Sequence, residues 1–352
     1  MINVFDITEY GAVGDGVTDC TESIQKAMDL AEDCRGKIVV PPGNYNVKGD
    51  LKFRGEAVSL EGCSSWTYRG NGASTFTLTN ENAECLMDIS GAVGCKITGM
   101  TFNGNKLGKN IHGIRLWWPV ANGGGQEDTP NIDDCKVYNF SGDGLHFNHI
   151  WCFAVRHSFI LSNGGAGIRM SGWDAFLTDN WISNNDGGGL VACDYVAAIT
   201  ATGNRVEWNK TGGFIIPRGD SCNFTGNFFD RTFGPALELG CDDGEFNLAT
   251  VTGNVFRRGG CYVDKPHDNP DRNSHMILNH CTGCVITGNT MKVGAGDGGT
   301  MPVSPDFGMI IRNCDNTIVK DNAMRNGSMI NNLITENNTD CIIENNIGTT
   351  AG

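Results

Sequence analysis

From residue 135 onward one short phrase keeps returning: LTDNWI, ATGNRV, FTGNFF, VTGNVF, ITGNTM, VKDNAM and IIENNI. Its asparagines, Asn180, Asn204, Asn227, Asn254, Asn289, Asn322 and Asn346, are separated by 24, 23, 27, 35, 33 and 24 residues. A basic repeat of about 23 residues therefore carries insertions of roughly 10 in two places. Helical repeats have longer periods and Ala/Leu-rich stripes, whereas these segments show β-branched alternation broken by Gly and Asn. Each repeat supplies a strand around its asparagine and a second after a Gly-rich turn, as in GIRM at 167–170, GLVA at 189–192, GFII at 213–216 and ALEL at 236–239. A single copy cannot bury its apolar face. Stacking copies about 4.8 Å apart buries a continuous column, which describes an all-β parallel solenoid. Asn tolerates the left-handed turn position and its amide can bond to the same residue one coil away, so the asparagines are expected to stack at one corner.

The remaining composition fits this reading. Gly 49 of 352 residues serves turns, since no Gly-X-Y period accompanies it. Thr18 or Thr21 opens a helical pattern through Ile24, Ala27, Met28 and Ala31 that ends near Gly36. This helix is expected to cap the first coil, residues 1–37 forming one domain with a β-helix over 38–352. Fifteen cysteines, odd in number and mostly in strand-like runs, are expected to be reduced core residues. The CxxC of Cys281 and Cys284 has no second pair at zinc spacing, and no metal or cofactor set is expected. The N-terminus carries neither a basic nor an apolar leader region and no apolar run approaches a membrane span. A cytoplasmic or phage-borne protein is the corresponding expectation. Net charge −14 argues against nucleic acid and anionic membranes as partners and favours a neutral glycan over a polyuronate.

Two outward columns result from strand alternation. The first runs Arg115, His146, Arg169, Val191, Ile215, Glu238 and offers carboxylate recognition or acid/base work by His146. The second lies three residues after each ladder asparagine: Ser183, Glu207, Asp230, Arg257, Lys292, Arg325. Glu207 and Asp230 fall one coil apart, about the 5 to 5.5 Å that a retaining glycosidase needs between its carboxyls. The same positions also suit a solvated charge ladder. Asp242 and Asp243 lie close in sequence, and the insert at 261–274 brings His267 and Arg272. Trp181 and Trp208 follow ladder asparagines and offer faces for sugar stacking.

The segment DITEYGAVGDGVTDCTESIQKAM followed by VVPPGNYNV resembles the opening of the pectate-lyase-like superfamily of right-handed parallel β-helices, which includes polygalacturonase-type hydrolases, alginate epimerases and phage tailspike depolymerases. Where the family commonly has Asp, this chain has Cys20. Asp242-Asp243 matches part of the polygalacturonase pattern, but no Gly-His-Gly or Arg-x-Lys comes after it. The alginate epimerase motif Tyr-Gly-Phe-Asp-Pro-His is replaced here by Asp143-Gly144-Leu145-His146-Phe147-Asn148. Glu238 is similar in setting to a carboxylate of the trimeric inulin fructotransferases, although Gly226 stands where their partner Asp would fall. The resemblance implies an enzyme acting on an oligo- or polysaccharide and a homo-oligomer, a trimer. Glu207, Asp230 and Glu238 are the expected catalytic carboxylates of a glycoside hydrolase or glycosyl-transferring enzyme. Arg115, His146, Arg169, Asp242, Asp243, Trp208, Trp181, His267 and Arg272 are the expected substrate contacts. A lyase or epimerase built on Arg115, His146 and Arg169, and a non-catalytic glycan-binding or tailspike-like module, are the alternatives.

Overall fold

A computed structural model describes residues 3–120, 126–262 and 266–349. The chain separates into two compact units, Met1–Trp181 and Ile182–Gly352. Both are stacks of short parallel strands, and the described residues contain no helix long and apolar enough to cross a membrane.

In the first unit the helix α1 spans Thr21–Glu32 and buries Ile24, Ala27, Met28 and Ala31, the i, i+3, i+4, i+7 stripe read from the sequence. It begins at the second of the two candidate threonines. Asp19 accepts from the Thr21 amide at 3.0 Å and its hydroxyl at 2.6 Å, whereas the N-cap residue Cys20 makes no capping bond. Cys20 is fully buried instead, its Sγ 3.3 Å from the Val13 carbonyl, so the residue that departs from the family has become a core contact. The helix packs against the strands Val4–Asp6, Lys37–Val39 and Leu51–Lys52, covering the edge of the first coils.

Behind that cap the coils stack in register. Ile38, Leu60, Ile97, Ile132, Val155 and Leu177 are successive cross-coil partners, and none is more than 1% exposed. A second interior column runs Tyr45, Phe76, Phe102, Val137, Ile160, and a third runs Met87, Ile114, Leu145, Ile168. Each such side chain contributes about 1.5–3 kcal/mol through burial, so the columns hold the register that positions the outward residues between them.

The second unit repeats the scheme, with Phe214, Leu237, Met276, Met309 and Leu333 in one column. Its corner is the asparagine ladder. The Oδ1 of Asn227, Asn254, Asn289, Asn322 and Asn346 each accepts both the backbone N–H and the Nδ2–H of the asparagine one coil earlier, at 2.8–3.2 Å. In the first unit Asn180 does the same work with other partners, accepting from Ser158 N and donating to Val155 O. Cys222 and Cys284 point inward as expected, whereas Cys341 is only half-buried and Cys63 and Cys193 are exposed.

Candidate active site

Four neighbouring strands of the first unit, Cys85–Asp88, His112–Trp117, Leu145–Arg156 and Ile168–Thr178, place Asp88, Arg115, His146 and Arg169 in one register column. The expected first column is therefore present here. The three coils read His-Gly-Ile-Arg, Asp-Gly-Leu-His and Ala-Gly-Ile-Arg, so three residues upstream of Arg115, His146 and Arg169 stand His112, Asp143 and Ala166. The sequence reading names Asp143 only within the segment that replaces the epimerase motif and passes over His112; aligning these coils on the shared Gly exposes both.

Asp143 is the hub, and it is only 3% exposed. Its Oδ2 lies 2.7 Å from His146 Nδ1, and Arg169 Nε reaches Oδ1 and Oδ2 at 3.2 and 3.1 Å. The Ala166 amide donates to Oδ1 at 2.6 Å. The backbone N–H of Asp143 itself donates to Nδ1 of His112 at 3.0 Å. Such close approach needs bare backbone: a Cβ on Gly165 would sit 2.3 Å from Asp143 Oδ1, and one on Gly142 would sit 2.8 Å from His112 Nδ1. Burial by itself would raise the Asp143 carboxyl, but the two imidazoles beside it and the Arg169 charge outweigh burial and hold it well below the usual carboxylate range.

The cluster opens on a cleft of about 470 Å³, walled by Glu84, Lys109, His112, Arg115, Trp117 and His146. The Trp117 ring lies nearly parallel to the His146 ring, 5.5 Å away at 15°, and is 42% exposed. Arg115 pairs with Glu84 and stands 5.5 Å from the Trp117 ring, while its buried Nε has no hydrogen-bond partner among the described residues. His112, Asp143 and His146 bring potential metal ligand atoms within 4.8 Å of one another. The donor set suits a metal poorly, because the Asp143 N–H already occupies the Nδ1 lone pair of His112 and the Arg169 guanidinium lies against both carboxylate oxygens.

The second expected column requires a correction. Glu207, Asp230, Arg257 and Lys292 do share one register column in the second unit. Glu207 and Asp230 do not stand in solvent, however; they are 4% and 1% exposed. Arg258 grips Asp230 with two parallel bonds of 2.8 and 2.6 Å, and Arg231 adds a third at 2.8 Å. Glu207 pairs with Arg205 at 3.0 Å and lies 3.9 Å from Arg231. The cause is the turn after each strand: Trp208, Arg231 and Arg258 all have left-handed φ, 58°, 52° and 49°, which brings long side chains back over the strand just ended. Asp297, from the insert near 294–306, closes the network on Arg231 and Arg258. With guanidinium groups on both oxygens of Asp230, no face of that carboxylate is left for a glycosidic oxygen.

The other expected contacts are scattered. Glu238 is bonded at 3.0 Å by Arg272 from the 261–274 insert, and Arg272 also donates to the Thr211 carbonyl. Trp208 has the Arg231 guanidinium 4.3 Å over its ring, and Trp181 packs against Tyr68 and Phe159. His267 bonds within its own loop to Gly260 O. Asp242 and Asp243 are exposed at a separate cleft of about 600 Å³ with Tyr195, Arg218 and His280.

Residues 2–79 match the family described as rhamnogalacturonase A/epimerase, pectate lyase-like. The mannuronan C5-epimerase AlgE2 of Azotobacter vinelandii is 24% identical over 62% of this chain, which spans 23% of that relative's length. A probable polygalacturonase of Arabidopsis thaliana is 41% identical over 61 residues, 16% of this chain and 13% of that protein. Among solved structures, the A-module of mannuronan C-5 epimerase AlgE6 of Azotobacter vinelandii is similar with a TM-score of 0.70 at 17% identity, covering 97% of this chain and 99% of that one. The enzymatically active domain of tailspike protein 2 of bacteriophage CBA120 gives 0.75 at 13% identity, covering 97% and 52%. At these identities the structures speak for the fold alone. Stacked coils, capping helix and matched N-terminal segment agree with them, and the fold is a parallel β-helix whose residues 2–79 are similar to the pectate lyase-like family.

Proposed function

We propose that this chain is a carbohydrate-active enzyme that acts on an acidic polysaccharide by removing the proton α to a uronate carboxylate at the Asp143 cluster. The observation that carries this reading is the 2.7 Å bond between Asp143 Oδ2 and His146 Nδ1 at the edge of the cleft. A carboxylate can only accept, so Nδ1 of His146 holds the proton and Nε2 presents its lone pair. An imidazole oriented by a buried carboxylate is a general base, and the imidazolium it becomes is stabilised by the same carboxylate. Arg115 and Lys109 on the cleft wall supply positive charge for a substrate carboxylate, whose charge grows as the carbanion forms. The exposed face of Trp117 suits a sugar ring. The relatives named for mannuronan epimerisation support a uronate substrate. The expectation of a neutral glycan rested on net charge, but encounter and binding are governed by the local groups at the cleft.

Hydrolysis through Glu207 and Asp230 is disfavoured by the arginines that occupy them. The test is incubation with a panel of uronans in D2O, with deuterium at C5 and unsaturated chain ends read by NMR and ultraviolet absorbance. Exchange or elimination that is lost in His146→Ala supports the proposal. Water-added fragments from a glycan, without exchange at C5, overturn it.

A further inference from the structure

We infer that His112 is the proton donor of the same site, and that the reaction it completes is a syn β-elimination. The inference rests on the proposed C5–H abstraction and assigns the fate of the resulting carbanion. Among the described residues His112 and His146 both meet Asp143 through Nδ1, and their hydrogen bonds there have opposite sense, Nδ1 of His112 lying 3.0 Å from the Asp143 N–H and 3.3 Å from Oδ2. The Asp143 carboxylate accepts from His146, whereas the Asp143 backbone N–H donates to His112. A backbone N–H cannot accept, and its bond to His112 Nδ1 is shorter than the 3.3 Å approach of Asp143 Oδ2, so we place the proton of neutral His112 on Nε2 and leave Nδ1 bare. One residue therefore sets two neighbouring imidazoles in opposite tautomers: His146 offers a lone pair at Nε2 and His112 offers an N–H. Both line the cleft, and their ring centroids are 4.2 Å apart with a tilt of 37°.

A base and a donor side by side on one wall match two adjacent substituents on one face of a sugar ring. They do not match the two opposite faces of C5 that an epimerase must reach. In the elimination, His146 Nε2 takes H5, and the C5–H electron pair becomes the C4=C5 double bond. The C4–O4 bond breaks with its pair on O4, which takes the Nε2 proton of His112. His146 is left as imidazolium against Asp143, and His112 as imidazolate whose Nδ1 is held by the Asp143 N–H. Proton return from the first ring to the second through solvent restores both. A sugar alkoxide is comparably basic to imidazolate, so the transfer is close to level, and a neutral imidazole acting as the electrophile has precedent in other enzymes. Stereochemistry then selects the substrate class. Gluco- and manno-configured uronates carry H5 and O4 on the same face, whereas galacto- and L-gulo-configured uronates carry them on opposite faces.

The experiment uses the full chain with four probes: a glucuronan, a mannuronan, a polygalacturonate and a polyguluronate. Unsaturated ends should form on one or both of the first two and be at least tenfold slower on the others. In D2O, His112→Gln should retain C5 exchange while elimination falls by about 10²-fold or more, with circular dichroism melting confirming the fold. His146→Ala should lose both. Preferential cleavage of the galacto- or gulo-configured probes by the wild type overturns the inference while leaving the C5–H reading standing. So does a His112→Gln variant that eliminates at the wild-type rate, and so does exchange with inversion at C5 and no unsaturated ends. Absence of both exchange and elimination on every uronan removes the C5–H reading, and the inference with it.

Discussion

Two buried aspartates, Asp143 in the first unit and Asp230 in the second, look alike by burial and by the basic side chains around them. Asp143 is 3% exposed among two imidazoles and a guanidinium; Asp230 is 1% exposed among two guanidinium groups. The difference is that an imidazole has a second nitrogen that can take or give a proton, and here both rings line a cleft. Guanidinium does not deprotonate in proteins and spends its donors in the pair. Equal burial with different basic partners thus gives, under the proposed function, a proton-transfer centre in one place and an ion-pair clamp in the other.

The sharpest break in this comparison is at Asp143. Replacing it with Asn should lower turnover by about 10³-fold or more, because the amide can donate to His146 Nδ1 and so turn the imidazole to the wrong tautomer; rate measurement on a responsive uronan checks this. The matching change, Asp230→Asn, should leave turnover of the folded protein unchanged and cost about 3–5 kcal/mol of stability, since it takes from Arg231 and Arg258 the buried carboxylate they share and leaves the mostly exposed Asp297 as their common counter-charge. Thermal melting reads that loss, and a fall in turnover at temperatures well below the melt would show that the second cluster serves catalysis after all.

A third outcome concerns acid. Because the Asp143 carboxyl is held below its ordinary range, the stability it contributes is present above that range and is lost as pH falls through the lowered value. The Asp143→Asn variant should lack that part of the acid-induced destabilisation, seen by following the melting temperature down the pH scale. The smallest effect is expected at the rim: Trp117→Ala should raise KM several-fold with kcat nearly kept, as befits a surface that holds substrate without touching the reacting bonds.

The repeat made the fold legible. The asparagine spacing, the inward Ile168, Leu190, Phe214 and Leu237, and the capping helix were all readable, since each depends on local pattern and stacking. The column Arg115, His146, Arg169 was readable for the same reason. What escaped was everything that depends on a turn. The covering of Glu207 and Asp230 comes from left-handed Arg231 and Arg258 and from Asp297, which arrives from an insert 67 residues after Asp230 by their numbering (297 − 230). No periodicity announces that a non-glycine turn residue will double back. His112 escaped because its partner is a backbone amide, and backbone partners leave no trace in side-chain pattern.

The asparagine ladder separates two quantities that a polymer normally ties together, the length of chain between two points and the distance between them. From Asn204 to Asn227 the chain spends 23 residues and from Asn254 to Asn289 it spends 35, yet in both cases the bond between the rungs is about 3 Å long. Extra residues leave the corner as a loop and return to it, and the rungs are indifferent to their number. A lineage of such chains can therefore lengthen, shorten or exchange the walls of a cleft while the coil beneath keeps the same pitch. New specificity can arise between two asparagines without disturbing any other pair.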